Sequence, residues 1–551
     1  MYKKLLCLLL CSLLVFLCSC SSEKFLQDTN ANKILEDNKK AYEQDSINEV
    51  KELYITVLPT KKKNIKQYTF KDLNESNGYV DGKDIELNVI VQERKNGQSN
   101  PDCFGYGLTT TNGTITQRGQ SARIAEQKSF KIKLMKEGGL WYGNEVINLN
   151  KHPFDKTKMR NKMSFEYFKL VPQIISLRTN FVHLFIKDFS EENYKEEYKD
   201  FGLFTQIENL DKNFLKNHGL DSKGALYKAE NFEFYRYEDK IKTIDDPDYN
   251  EEKFQEILEI KGEEQHQKLI TMLDAVNNPL ININEVIDKY FNRENYLTWM
   301  AINIILDNID TASRNFCLYS PKDSDKWYFI PWDYDKGWGG YRYSRGEWQQ
   351  GMTNYWGVVL HKRFLQNKDN VKQLTNKIEE LKKIFTREKT KEFVDIYKPI
   401  VLEYLNRDPD KIEKASDLNK IIKEIDDMPD LIELNIKRYY ESLEKPMPIF
   451  MGKVLDYGSY NVFTWNEAYD FNRDYIEYIL DISKTPNFES IIYHKDGIRD
   501  IQHIVKDLQP GKYFWKLTIK DSKGNIQQPF DIYKVKATES YYFGVQEFYV
   551  N

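Results

Sequence analysis

The residues of this chain best suited to chemistry lie in two neighbouring stretches, "ILDNIDTASRN" at 305–315 and "FIPWDYDKGWGG" at 329–340. Asp307, Asp310, Asp333 and Asp335, together with Asn315, fall where an apolar helix and a hydrophobic strand give out. Short carboxylates at the ends of packed elements suit metal binding or the positioning of a reacting group, because the element fixes them while leaving their lone pairs open. A single Asp in such a place is also what turn chemistry predicts. In "WDYD" the two carboxylates share one face of an extended segment, just before Gly337, Gly339 and Gly340 let the chain bend.

The rest of the sequence narrows the chemistry by omission. It holds no GxSxG elbow, HExxH, CxxC pair or GxxxxGK[ST] phosphate loop. The seven histidines are scattered, and His183 in "FVHLFIK" reads as a structural strand residue. Carboxylates, lysines and one asparagine remain. Asp310 and Asn315 have the spacing at which a protein-kinase catalytic loop sets an acceptor-orienting Asp and a Mg²⁺-holding Asn. Phosphoryl transfer also needs a cation from a sheet. In "KSFKIKLM", Phe130, Ile132 and Leu134 alternate with Ser129, Lys131 and Lys133, so both lysines share the non-core face of one strand. Either can reach a phosphate, and a merely solvated face has the same pattern. Upstream, "QRGQSAR" offers Arg118 and a single Gly119, too little for a glycine-rich loop. A carboxylate pair flanking a sugar is a third chemistry, but it depends on a separation that sequence does not give.

These groups need elements to position them. From Leu53 onward, "LYITVLP", "DIELNVIVQE", "GTITQRG" and "SFKIKLM" predict short strands joined by turns. "TKMRNKMSFEYFKLV" predicts a helix, and "NFVHLFIKD" and "YKDFGLFTQIENL" predict further strands. Beyond residue 250, three- and four-residue apolar steps predict helices in "EEKFQEILEIKGEEQHQKLITMLDAV", "RENYLTWMAINIILDN" and most of 371–445. A β-rich front on a helical back is an α+β arrangement of two lobes with a cleft between them. "KPMPIFMG", with Pro446 and Pro448, predicts a linker that few contacts cross. After it, short strands and turn signals predict a small β-sandwich.

The N-terminus has a different character. "MYKKLLCLLLCSLLVFLCSC" combines two lysines, a short apolar run and a small-residue boundary, which predicts a secretory signal over residues 1–19 rather than a membrane span. Its "LCSC" ending resembles a bacterial lipobox with Cys20 as the lipidated residue, which implies a membrane-anchored lipoprotein of the bacterial cell envelope. The polar stretch 20–49 reads as a tether. Of six cysteines only Cys103 and Cys317 lie in the body, so there is no disulfide framework; one bridge or two buried thiols are open. Cleavage removes Lys3 and Lys4 and takes the formal charge from −5 to −7. A mildly acidic chain without a basic tract is a poor nucleic-acid binder.

In combination, "TQRGQSAR…QKSFKIKL", "DFGLFTQIENLDKNFL", "GALYKAE", "NYLTWMAINIILDNIDTASRNFCLYS" and "KWYFIPWDYDKGWGG" resemble the CotH kinase family, atypical kinases named after a spore-coat protein, over residues 50–445. The resemblance implies a kinase-like fold that binds ATP and Mg²⁺ and phosphorylates Ser, Thr or Tyr of a secreted or coat protein. It implies that Asp310 is the catalytic Asp, that Asn315, Asp333 and Asp335 serve the metal, and that Arg118, Lys131, Lys133 and Glu208 serve the nucleotide, Glu208 at the hinge beside the adenine. Glu166 is the nearby candidate partner for a phosphate lysine. Where many relatives have a His before the loop asparagine, this chain has Arg314. Residues 446–551 resemble a fibronectin type III module, with Trp465 and Trp515 as core aromatics, and offer a docking face for a surface partner. A non-catalytic binding protein that has kept the fold is the competing expectation.

Overall fold

The computed structural model describes residues 35–59, 68–80, 82–191, 197–340, 348–535 and 540–551. The expected signal segment and Cys20 lie outside the described residues. Strands β1 (Val50–Val57), β2 (Leu87–Arg94), β3 (Gly113–Gln117), β4 (Phe130–Leu134), β5 (Val146–Asn150), β6 (Thr179–Asp188) and β7 (Lys199–Ile207) close into a barrel in the order β1-β2-β3-β4-β5-β7-β6. Closure comes from the parallel pairing of β1 with β6, Val50 opposite Phe181 through Val57 opposite Asp188. Closing the sheet removes its edges. Inward residues such as Leu53, Val89, Ile115, Ile132, Leu184 and Phe204 fill the interior. In β4, Phe130, Ile132 and Leu134 are buried while Lys131 and Lys133 are exposed, the alternation its sequence predicts.

Helix α1 (Arg160–Phe168), between β5 and β6, packs into the core of the helical lobe and is buried on every side. That lobe is built on β8 (Ala225–Ala229), β9 (Leu258–Ile260), α2 (His266–Asn277), α3 (Arg293–Ile305), β10 (Phe316–Ser320), β11 (Tyr328–Pro331), α4 (Lys368–Leu381), α5 (Arg387–Leu405) and α6 (Ala415–Leu443). Its strands form a sheet in the order β9-β8-β10-β11. The stretch 251–276, expected as one helix, is broken by β9, which pairs with β8. Gly262 shows why: a Cβ there would stand 2.8 Å from Leu226 Cβ and 2.9 Å from its amide nitrogen, so the chain must pass close to β8 without a side chain.

Two expectations about the ends of the body are corrected. Residues 35–49, read as part of a tether, pack against it: Leu35 is buried, Asp37 Oδ1 lies 2.7 Å from His218 Nδ1, and Asp45 pairs with Lys169 and Arg178 at 3.1 and 2.9 Å. The C-terminal sandwich is not loosely strung. Its sheets are built on β12 (Tyr460–Thr464), β13 (Ile476–Ser483), β14 (Ile491–Ile498), β15 (Gln502–Lys506), β16 (Gly511–Asp521) and β17 (Val545–Val550), around Phe463, Trp465, Leu480 and Trp515. Phe471 inserts into the core of the helical lobe, and Trp356 lies 5.2 Å from Tyr469 and 5.7 Å from Phe471, centroid to centroid. Cys103 and Cys317 are both free and buried, and burial pushes the Cys317 thiol up to about 12. Among the described residues no helix is long and apolar enough to cross a membrane.

Candidate functional site

A cleft of about 1320 Å³ opens between the barrel and the helical lobe. Its acidic floor is set by one hairpin and one helix end. Phe316 pairs with Pro331 at the open end of the β10–β11 hairpin, so Asn315 and the Trp332–Asp333 segment leave the sheet side by side. Helix α3 ends at Ile305 and delivers Asp310 in a short 3₁₀ turn, Ile309–Thr311. Four non-glycine residues of this region take left-handed backbone: Asp307 (φ 53°), Asn315 (φ 58°), Asp333 (φ 54°) and Trp338 (φ 55°). Asn and Asp tolerate that conformation better than other side chains, and of these residues Asn315 and Asp333 line the cleft.

Within the floor, Asn315 Nδ2 donates to Asp310 Oδ2 at 2.9 Å, and Lys336 Nζ lies 3.1 Å from the same oxygen. The "WDYD" segment is clamped from α1: Asn161 Oδ1 accepts from the Tyr334 amide at 2.6 Å and its Nδ2 donates to Asp333 Oδ1 at 3.2 Å. The Tyr334 hydroxyl reaches Asn303 Oδ1 at 2.7 Å, and Trp338 Nε1 donates to Ser164 Oγ at 2.9 Å. Burial and the neighbouring charges of Asp333, Asp155 and Asp310 push the Asp335 carboxyl well above its ordinary value, against the attraction of Lys336. Asp307 does not line the main cleft; its Oδ2 lies 3.5 Å from Arg438 Nη1.

The barrel wall is cationic. Arg118, at the end of β3, faces Asp333 and Glu259, and burial pulls its guanidinium down to about 10 despite both carboxylates. Its Nη1 is shut off from solvent without a hydrogen-bond partner among the described residues. Although the Lys131 side chain is exposed on β4, partial desolvation of its ammonium by the cleft walls and the charges of Lys261 and Arg118 lower it below its usual value, while Lys133 also lines the cleft. The opposite wall carries Lys228 and Lys261, the latter 2.5 Å from Glu259. Arg314 lines the cleft too, held at 2.9 Å by Asn231 Oδ1.

Two expected roles meet a different geometry. Glu208 lies at the strand-to-hinge turn between the cleft-lining Ile207 and Asn209, but its carboxylate turns away: Oε2 lies 2.9 Å from buried His218 Nε2 and 3.1 Å from the Arg178 amide. Glu166 pairs with Lys162 and Lys169, at 2.5 and 3.0 Å, and not with a β4 lysine. Conversely, sequence reading passed over Asn161 and Lys336. Lys336 directly follows "WDYD" and was open to notice. Asn161 sits in a helix that has no solvent face, which only the packing reveals.

The CotH kinase protein family model matches residues 115–440. Inner spore coat protein H of Bacillus subtilis (strain 168) is 26% identical over 230 residues, which cover 41% of this chain and 58% of that protein. The chain thus matches little more than half the length of that relative. Among solved structures, the fibronectin type-III domain of human fibronectin type III domain containing protein 3 matches 19% of this chain and 86% of its own, at 20% identity and a TM-score of 0.14. The matched span runs from β3 of the barrel wall to α6 and takes in Arg118, Lys131, Asp310, Asn315 and Asp333, so the chain belongs to the CotH kinase protein family.

Proposed function

We propose that this protein is an ATP- and Mg²⁺-dependent kinase that phosphorylates a hydroxyl side chain of a secreted or coat protein, held at the outside of a bacterial membrane by a lipid on Cys20. The observation that carries the reading is the pairing of Asp310 with Asn315 at 2.9 Å in the same cleft as Asp333, Asp335 and an Arg118 Nη1 that has no hydrogen-bond partner among the described residues. The donor set of carboxylates and one amide is hard and oxygen-rich, and the crowding that raises Asp335 is what a cation relieves, so Asp333, Asp335 and Asn315 fit Mg²⁺. Bound there, Mg²⁺ supplies charge neutralisation on the phosphate oxygens.

The chain's own groups account for the rest. Transfer forms a bond from the acceptor oxygen to the γ-phosphorus and breaks the bond from that phosphorus to ADP. The hydroxyl proton goes to the Asp310 carboxylate, whose orientation Asn315 and Lys336 fix through Oδ2. Arg118 offers a desolvated donor to a phosphate oxygen, and Lys131 and Lys133 add charge from β4. Ile207, Leu210 and Ile257 give the hinge side of the cleft an apolar lining suited to a purine.

A non-catalytic scaffold is the second reading, and the Lys336 ion pair favours it because it already neutralises Asp310. Intact mass after incubation with ATP and Mg²⁺, in the presence and absence of candidate acceptors, separates the two. A kinase gains phosphate increments that Asp310→Asn abolishes. A scaffold gains none and shows no nucleotide-dependent rise in melting temperature, where a ligand at 100 times its Kd gives about 2.7 kcal/mol.

A further inference from the structure

Away from the cleft, three carboxylates of the C-terminal sandwich converge where it meets the helical lobe. Asp470 and Asp474 belong to the connection between β12 and β13, and Asp521 ends β16. One oxygen from each lies within 4.8 Å of the others. Asp470 is 6% exposed and Asp521 1% exposed. Asp470 Oδ1 accepts from the amides of Asn472 and Asp474 at 2.7 and 3.1 Å, whereas its Oδ2 is closed to solvent and has no donor among the described residues. A buried carboxylate oxygen without a donor is unfavourable unless a cation meets it. Burial, with the facing charges of Asp474 and Asp521, pushes the Asp470 carboxyl above its ordinary value. Lys523 Nζ lies 2.9 Å from Asp474 Oδ2, on a side chain that is 55% exposed.

We propose that Asp470, Asp474 and Asp521 form a Ca²⁺ site that locks the sandwich onto the helical lobe. Ca²⁺ takes oxygen ligands at about 2.3–2.6 Å, so oxygens sharing one ion lie within ~5 Å of each other, as these do. Mg²⁺ keeps several waters and is held through one or two carboxylates, which fits three converging protein carboxylates less well. The Asp470, Asn472, Asp474 spacing matches the first three ligand positions of a calcium-loop pattern, with Tyr475 where that pattern has its glycine and Asp521 arriving from another strand in place of the second half. The surrounding bonds give the site its mechanical role. Asn472 Nδ2 donates to Glu444 Oε2 at 2.9 Å, and Asn525 Nδ2 donates to Asp521 Oδ2 at 2.7 Å and to the Glu444 carbonyl at 2.9 Å. Glu444 caps α6, and Phe471 between the first two Asx residues is part of the helical lobe's core.

The test uses the full chain stripped with a chelator, titrated with Tb³⁺ followed by luminescence and then with Ca²⁺ up to ~10⁻³ M, the range of extracellular calcium modules. Ca²⁺ should displace the sensitised Tb³⁺ and raise the melting temperature, while equal Mg²⁺ should not displace it. Asp470→Asn and Asp521→Asn should lose the Ca²⁺-displaceable signal, and the cleft variant Asp333→Asn should retain it. Lys523→Ala keeps all three carboxylates, and by removing a competing ammonium it should bind at least as tightly as wild type. Absence of the signal in wild type, its persistence in both carboxylate variants, or weaker binding by Lys523→Ala would overturn the site.

Discussion

Asp310 and Asp333 are held by different neighbours, and their substitutions should therefore fail differently. Asp310 is fixed by Asn315 and Lys336, and its proposed interaction is with a proton that moves only during transfer. Asp310→Asn should leave ATP affinity near wild type and slow transfer by about 10²–10⁴-fold, the usual worth of a positioned acid or base. Asp333 is bonded by Asn161 and faces Arg118, so Asp333→Asn removes a formal charge from the metal position and should weaken Mg²⁺-dependent ATP binding as well as transfer. ATP affinity across a Mg²⁺ series, read beside phosphate incorporation, distinguishes the two; wild-type behaviour of both variants would end the kinase reading. At this scale the sequence was legible where spacing within one segment decides the chemistry, as for Asp310 with Asn315. Where partners come from distant segments, sequence could supply only candidates. Asn161 lies 172 positions from Asp333, and nothing local in "TKMRNKM" marks it as the clamp. Glu208 illustrates the converse, since its place at the hinge was readable but the direction of its side chain was decided by His218.

Elements that join the lobes rely on buried ionic clusters, and these carry the pH and stability predictions. His218 is fully buried between Glu208 and Asp37; burial alone would lower its pKa, but the two carboxylates raise it from 6.5 to about 9. A histidine raised in the fold contributes stability that is fully present below its unfolded value and is lost as pH rises through the folded one. The contribution is on the order of 3 kcal/mol. The melting-temperature gap between wild type and His218→Gln should therefore be widest near pH 6 and narrow as pH passes 9; a gap independent of pH would refute the charged histidine. Across the lobes, Asp410 accepts Lys151 and Lys158 at 2.9 and 3.0 Å and the Leu203 amide at 2.6 Å. Asp410→Asn strands two buried ammonium groups and should cost about 3–5 kcal/mol in denaturant unfolding. The barrel strands themselves were largely readable, because alternation within each short run sets which side chains face inward. β5 was not picked out, and barrel closure was not readable at all, since the parallel β1–β6 pairing depends on segments more than 120 residues apart. Nor did the polar composition of 35–49 reveal that Asp37 finds a buried partner in His218 and Asp45 a partner in Lys169, just past the end of α1.

For the whole molecule, the open question is whether the sandwich is an appendage or part of the folded body. Composition argued for an appendage, because paired prolines and a change of pattern at 446–448 look like a linker. The interface argues otherwise. The Met447 amide donates to the Tyr469 carbonyl at 2.7 Å, Met447 is fully buried, and Phe471 fills the helical lobe's core against Trp356. On the same side, Trp348 and Phe450 lie 5.1 and 4.7 Å from Phe530, centroid to centroid. Hydrophobic contacts of this kind bind domains into one cooperative unit, whereas polar linkers leave them independent. Ending the chain after Lys445 should thus uncover Trp356 and leave a cavity where Phe471 sat, giving a body that melts lower, binds a hydrophobic dye and aggregates. The point variant isolates the cause: Phe471→Ala keeps the sandwich but removes its anchor, and should destabilise the chain by about 3–5 kcal/mol, as buried Phe truncations do. Unfolding followed by a helical-lobe probe and by a sandwich probe should coincide in wild type and separate in Phe471→Ala. Two separate transitions in wild type, with a truncated body as stable as the full chain, would instead make the sandwich an independent module.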